Sequence, residues 1–192
     1  MRHHLFHLDT ALITQRCVIR RFREHDGKAF YKLLDHNRDY LLDHFPYLMA
    51  QAGASRKEGE IFVRRCIADW LLQERYAMGI WSNESTALIG FVQVFNIDWS
   101  LPSGELGYFI DKDLIRQGIM TEVLARVVRF AFKQIELDKL IIKTLIDNYA
   151  SQRLARRVGF SREGELRNEY RLPGGALVDL MRFGFARQTY GE

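Results

Sequence analysis

Residues 104–124 read "GELGYFIDKDLIRQGIMTEVL": a strand, a short polar loop, and a helix that opens on a glycine. "GELGYFID" (104–111) reads as a strand, and its glycines point to a bulge or to close approach by another backbone. From Gly118 onward Met120, Val123, Leu124, Val127, Val128, Ala131 and Ile135 recur at helical spacing. A helix begun at Gly118 leaves its first backbone N–H groups without intrahelical partners. With the helix dipole they form a site for phosphate oxygens, and a residue lacking a side chain lets such a group come close. Arg116 adds positive charge beside it. The same pattern also serves as a plain turn, so the phosphate reading needs support from the rest of the chain.

Working outward, "CVIRRF" (17–22) alternates like a strand, and the stretch after Asp26, "GKAFYKLLDHNRDYLLDHF", reads as helical. "QAGAS" is a loop, and Ser55 with Glu58 forms a capping box for a helix over about 56–74. "YAMGIWS", a polar turn at Asn83 to Thr86 and "ALIGFVQVFNI" make a strand hairpin. Beyond the central helix come "KLIIKTLI" as a buried strand and "ASQRLARRV" as a helix. "ELRNEYRL" and "ALVDLMRFGF" then form a terminal hairpin about Pro-Gly-Gly. The order strand, two helices, three strands, helix, strand, helix, two strands predicts an α/β fold with a mixed sheet.

At 192 residues and 47% apolar content the chain suits one domain spanning 1–192. Its longest apolar stretches, such as "VLARVVRFAF", are short and carry arginines, so no membrane span is expected. "MRHHLFHLDTALITQR" lacks the pattern of a signal peptide, which predicts a cytoplasmic protein. Cys17 and Cys66 are far apart, which argues against a disulfide framework or zinc site and for buried thiols. His3, His4 and His7 are metal-ligating types, but a ragged terminal tract offers nothing to hold their rings, and no metal is expected. A charge of +4 and a pI of about 9.1 suit an anionic partner. The Lys and Arg residues are dispersed among acids rather than gathered in a stripe, so direct nucleic-acid binding is not expected.

"NYASQRLARRVGF" (148–160) puts an Asn at a strand end, a hydroxyl three residues later, a short basic helix, then Gly159 and Phe160. Together with "GELGYFIDKDLIRQGIMTEVL" and the final "LVDLMRFGFAR", it resembles the GCN5-related N-acetyltransferases (GNAT), most closely their RimJ/RimL-type ribosomal-protein N-terminal acetyltransferase branch. The resemblance covers about 14–187. It implies the GNAT fold: a mixed, mostly antiparallel sheet flanked by helices and splayed beside "GELGYFID", with acetyl-CoA wedged in the gap. The pantetheine arm would pair with the backbone of Phe109, Ile110 and Asp111. The pyrophosphate would lie on the N–H groups of Arg116, Gln117, Gly118, Ile119, Met120 and Thr121. Asn148 would hold the pantetheine amides, Ser151 would sit near the thioester sulfur, and one of Arg153, Arg156 and Arg157 would reach a coenzyme phosphate. Against the family pattern Q/R-x-x-G-x-G/A, Ile115 stands first and Met120 last, with Arg116 at the branch's earlier glycine. Many relatives carry a tyrosine at Ala155 as acid for the thiolate, which leaves Ser151 for that role.

The chemistry needs an unprotonated amine and a donor for the leaving thiolate, but neither a metal nor an enzyme nucleophile. Glu105 on the splayed strand and Glu169 on the terminal hairpin are the candidate bases, directly or through water. Tyr108 and Tyr170 either shape the acceptor pocket or belong to the core. "HFPYLM" (44–49) and "DWSL" (98–101) are expected as loops bordering the acceptor, with Trp99 marking a binding surface if exposed. The acceptor is a protein N-terminal α-amine or a small amine such as a polyamine, amino sugar or amino acid. A non-catalytic coenzyme-binding or RNA-associated module is a third reading, and a homodimer is compatible with any of them.

Overall fold

Eight segments with strand periodicity hydrogen-bond into one sheet in the order β1-β2-β3-β4-β5-β6-β8-β7. The computed structural model describes residues 8–190. The strands are β1 Ala11–Ile13, β2 Cys17–Arg21, β3 Tyr76–Ser82, β4 Leu88–Asp98, β5 Ser103–Ile110, β6 Lys139–Leu145, β7 Ser161–Arg171 and β8 Leu177–Ala186. Helices α1 Gly27–His36, α2 Arg38–His44, α3 Pro46–Ala52 and α4 Arg56–Leu72 separate β2 from β3. Helix α5 Ile119–Phe130 joins β5 to β6, and α6 Tyr149–Arg157 joins β6 to β7.

Neighbouring strands are antiparallel except β5 and β6, which are parallel. That pairing covers only Ser103 to Glu105 opposite Lys139 to Ile141. Beyond it β5 stays with β4 as far as Ile110, while β6 stays with β8 as far as Leu145. The sheet therefore forks. Its closed end is fastened by the Pro102 carbonyl, which accepts from the amides of Asp138 at 2.7 Å and Lys139 at 3.2 Å.

Side-chain alternation splits the core between the two faces of the sheet. Phe91 of β4 and Phe109 of β5 join Phe22, Phe30 and Phe62 against α1 and α4. Val92, Val94, Leu106 and Ile110 join Val123, Leu124, Val127 and Val128 of α5. Each such fully buried side chain contributes about 1.5–3 kcal/mol.

The expected fold class holds, with local corrections. The helix expected after Asp26 breaks into two pieces, α1 and α2. Asn37 ends the first because its side chain serves other backbone: Nδ2 donates to the Leu33 carbonyl at 2.8 Å, and Oδ1 accepts from the Lys112 amide at 2.7 Å. Beside it, His36 Nε2 lies 2.8 Å from Asp113 Oδ2. Pro46 opens a new helix, so "HFPYLM" is not a loop, and α3 absorbs the start of "QAGAS". The Ser55 hydroxyl caps α4 by accepting from the Glu58 amide at 3.2 Å, as expected. The helix stops at Leu72, with Gln73 left-handed at φ 61°. Strand β1 was not anticipated, being three residues long with Ile13 exposed. The periodic run from Gly118 ends in a π-helical turn over Ala131–Ile135.

Trp99 is half-buried against the α5 side of the core and donates Nε1–H to the Gln73 carbonyl at 3.2 Å. It therefore marks no binding surface. Cys17 and Cys66 are free and buried, and burial pushes the Cys66 thiol up to about 12. His3, His4 and His7 lie outside the described residues. Among the described residues, no helix is long and apolar enough to cross a membrane.

Asn37, only 1% exposed, is the most economical test of this arrangement. Asn37→Leu strands the Lys112 N–H and is expected to lower unfolding stability by about 1–3 kcal/mol in chemical denaturation. An unchanged midpoint and slope would show the tie to be dispensable.

Candidate active site

The fork exposes backbone. Asp111 donates its amide to the Ile89 carbonyl on the β4 side at 2.8 Å. Strand alternation then turns the amides of Phe109 and Asp111 toward β4 and those of Tyr108 and Ile110 toward the gap. Within the expected pantetheine-pairing stretch, Ile110 offers the inward amide.

After Asp111 the chain makes a short turn over Lys112–Leu114, held by the Asp111 side chain accepting from the Asp113 amide at 3.1 Å. Two left-handed residues follow, Arg116 at φ 63° and Gly118 at φ 82°. Among the described residues none of the amides from Arg116 to Met120 meets a protein acceptor, whereas Thr121 donates to the Gly118 carbonyl at 3.1 Å. A Cβ added at Gly118 would meet only Arg16 Nη2, at 3.5 Å. Crowding by protein does not demand glycine here; the backbone angle does, and the amide side stays open for an anion. Arg16 braces the loop, donating to the Gln117 carbonyl at 2.8 Å and pairing with Glu122 at 2.7 Å.

The other arm of the fork carries α6. Asn148 caps it, with Oδ1 accepting from the Ser151 amide at 3.0 Å. The Ser151 hydroxyl lies 2.9 Å from the Tyr108 hydroxyl, so a hydrogen bond spans the gap between the arms. Burial pushes the Tyr108 phenol up to about 12, against a smaller lowering by Ser151. Tyr108 is therefore neutral near pH 7 and can donate to Ser151, leaving the serine proton free to point into the cleft.

The fork opens into a cleft of about 950 Å³. The expected residues Glu105, Phe109, Ile110, Arg116, Gly118, Ile119, Met120, Thr121, Asn148, Ser151, Arg153 and Glu169 line it, and so does Arg157. Asp111 and Gln117 lie off its wall. Arg156 stacks over Phe183, 5.4 Å from the ring centre, and belongs to packing. Ala155 is buried in the core. "DWSL" does not border the cleft either.

Residues 16–161 match the family model described as acetyltransferase (GNAT) domain. The chain belongs to the GNAT acetyltransferase family. Among its relatives is the Escherichia coli ribosomal-protein-serine acetyltransferase, 24% identical over 163 residues, which are 83% of this chain and 87% of that one. A Bacillus subtilis protein named "Probable N-acetyltransferase YjcK" is 34% identical over 102 residues, 53% of this chain; the match spans about half of that relative's length, 56%. Mycobacterium smegmatis RimJ in complex with CoA-disulfide shares the fold at a TM-score of 0.87, with 18% identity over 96% of this chain and 90% of that one. The open amides at the head of α5 and the unpaired edge of β5 fit a coenzyme of pyrophosphate and amide chemistry.

The two carboxylates expected as bases converge in this GNAT enzyme on a cation that the sequence reading passed over. Lys143 Nζ of β6 lies 2.9 Å from Glu169 Oε1 and 3.3 Å from Glu105 Oε1. Burial works against the Lys143 charge, but the carboxylates outweigh it and raise its pKa. At the cleft's rim, Tyr47 of α3 donates its hydroxyl to the Arg171 carbonyl at 2.6 Å and meets the Tyr170 ring edge-on at 5.6 Å. Tyr170 and Tyr108 both line the cleft.

Gly118→Ala should weaken acetyl-CoA binding roughly tenfold, since a Cβ strains the left-handed backbone that aims the amides. The melting-temperature rise at fixed acetyl-CoA reads this loss, and a full rise in the variant refutes the placement. A second test uses pH. Because folding raises the Tyr108 pKa above its ordinary 10, stability is intact below about 10 and falls as pH climbs toward 12, where the unfolded phenol ionises first. Tyr108→Phe is expected to shrink that alkaline loss in a denaturation series, and an identical loss in both proteins counts against it.

Proposed function

We propose that this enzyme transfers the acetyl group of acetyl-CoA directly to the N-terminal α-amine of a protein, ribosomal proteins being the first class to examine. The carrying observation is the Lys143 bridge. With Glu105 and Glu169 both held by one ammonium, neither is a free strong base, and the site suits an amine that sheds its proton readily. An α-amine has a pKa of about 7.7–8.0, against about 10.4 for a lysine side chain. Near pH 7 roughly a tenth of the former is free, and well under a thousandth of the latter. The similarity to a ribosomal-protein-serine acetyltransferase over 83% of the chain supports the same class.

In this reading the amides of Arg116 to Met120 hold the pyrophosphate, with Arg153 or Arg157 in reach of a phosphate. Ile110 and Tyr108 present backbone N–H groups to the pantetheine arm and the thioester carbonyl, and Asn148 Nδ2 is available to a pantetheine carbonyl. Ser151, supported by Tyr108, donates to the sulfur as charge develops on it. Glu105 and Glu169 draw the acceptor's ammonium form into the cleft. No enzyme acyl intermediate is required, because amine and thioester meet in one cavity.

Matched peptides decide the acceptor: one with a free N-terminal Ser or Ala and no lysine, the other N-terminally blocked with a single lysine. The free α-amine should win in kcat/KM by at least tenfold near pH 7, with mass spectrometry locating the acetyl group. Preferential lysine acetylation refutes the reading. Turnover of a small amine and of neither peptide transfers it to small-molecule acceptors.

A further inference from the structure

Among the described residues lining the cleft there is one histidine, His44, the last residue of α2. Its ring packs on that of Tyr40 one turn earlier, with centroids 4.8 Å apart. Nδ1 is buried and has no hydrogen-bond partner among the described residues. Any proton exchange between this imidazole and the cleft must therefore run through Nε2. Tyr40 lies close enough to Tyr108 to influence its ionisation, and Tyr108 contacts Ser151 at 2.9 Å. His44 and Tyr40 on α2, Tyr108 on β5 and Ser151 on α6 thus all line the same cleft.

The Lys143 bridge leaves the amine without an obvious proton acceptor. A carboxylate in general titrates near 4.3 and an imidazole near 6.5, so against an α-amine near 8 the imidazole is the better match. We propose that His44 is the catalytic base of this acetyltransferase, its Nε2 removing a proton from the ammonium form of the acceptor. The proposal rests on the α-amine reading above. The ammonium gives one proton to Nε2, and the freed nitrogen attacks the thioester carbonyl carbon. A C–N bond forms and the C–S bond breaks. The nitrogen's surplus proton passes to the departing sulfur through the Ser151 hydroxyl, giving amide and thiol, and His44 returns its proton to water. The other titratable and charged groups lining the cleft are Tyr40 on the same helix, Tyr47 on α3, Tyr108 on β5, Tyr170 on β7, the trio of Lys143, Glu105 and Glu169, and Arg75, Arg116, Arg153 and Arg157.

The test compares kcat/KM for the free α-amine peptide in wild type, His44→Gln and His44→Ala from pH 6 to 9, with saturating acetyl-CoA. Without a base only the unprotonated peptide reacts, so the variants should fall from about pH 8 downward, while wild type holds its rate to lower pH than they do. The expected loss in His44→Gln is about tenfold at pH 7 and shrinks toward pH 9, and added imidazole restores part of the His44→Ala rate at pH 7. A pH-independent loss, which a merely structural histidine gives, overturns the proposal, as does His44→Gln within threefold of wild type at pH 7. The acetyl-CoA melting shift reports whether each variant is folded. Should neither be, a wild-type rate that already declines from pH 8 with the peptide's own ionisation overturns the proposal alone. If no peptide α-amine is turned over but a small amine is, the α-amine reading fails, and the same comparison on that amine decides His44.

Discussion

Three residues of parallel pairing between β5 and β6 are the constraint on which this enzyme depends. Backbone polar groups left unpaired in a protein interior are costly, so a sheet that forks must find partners for both exposed edges. Water and ligand are the available partners here, because each arm continues to pair only on its outer side. Had the pairing run on to Ile110, the cleft, the inward amides of β5 and the access to Ser151 would all be absent. The closure at Pro102 holds the arms together at one end, and the Tyr108–Ser151 hydrogen bond fixes their distance at the other.

Charge is organised around the same fork. Lys143 rises from the β6 arm just past the last paired residue, and Glu105 is that last residue on the β5 arm. Their ion pair sits at the crotch of the fork, and Glu169 reaches in from β7 to share the cation. One ammonium shared between two acids leaves the trio with a single net negative charge at the root of the cleft. At the head of α5 the open backbone amides stand with the cleft-lining side chains of Arg116, Arg153 and Arg157, and Arg16 braces the loop through the Gln117 carbonyl and Glu122.

The fold was legible wherever periodicity or turn chemistry was strong: the helix after Gly118, the capped α4 and the Pro-Gly-Gly hairpin all stand where their residues predict. Local pattern failed where a long-range partner decides. Asn37 looks like an ordinary polar residue in a helical run, and only the Lys112 amide, 75 positions away, explains why the helix stops there. The open amides before α5 could be read because a helix that begins on a glycine leaves its first N–H groups unpaired. The acid–base side could not. Lys143 sits in a strand pattern that gives no sign of two carboxylates converging on it, and Tyr108 was equally consistent with core. His44 falls in both the run read as helical and the "HFPYLM" stretch expected as loop, and nothing in either marks its ring as lining a cleft. Trp99, which would mark a binding surface only if exposed, is instead half-buried and bonded to the Gln73 carbonyl, 26 residues distant.

Asn37 has one further consequence. Its side chain joins the end of α1 to the loop that leads into the coenzyme amides, and α2, with Tyr40 and His44, starts at the very next residue. The His36–Asp113 contact doubles that joint. The end of α1 and the loop before α5 are thus tied through one buried carboxamide. Elements far apart in the chain meet at a single side chain, so a substitution there disturbs the open amides before α5 and the α2 wall of the cleft together.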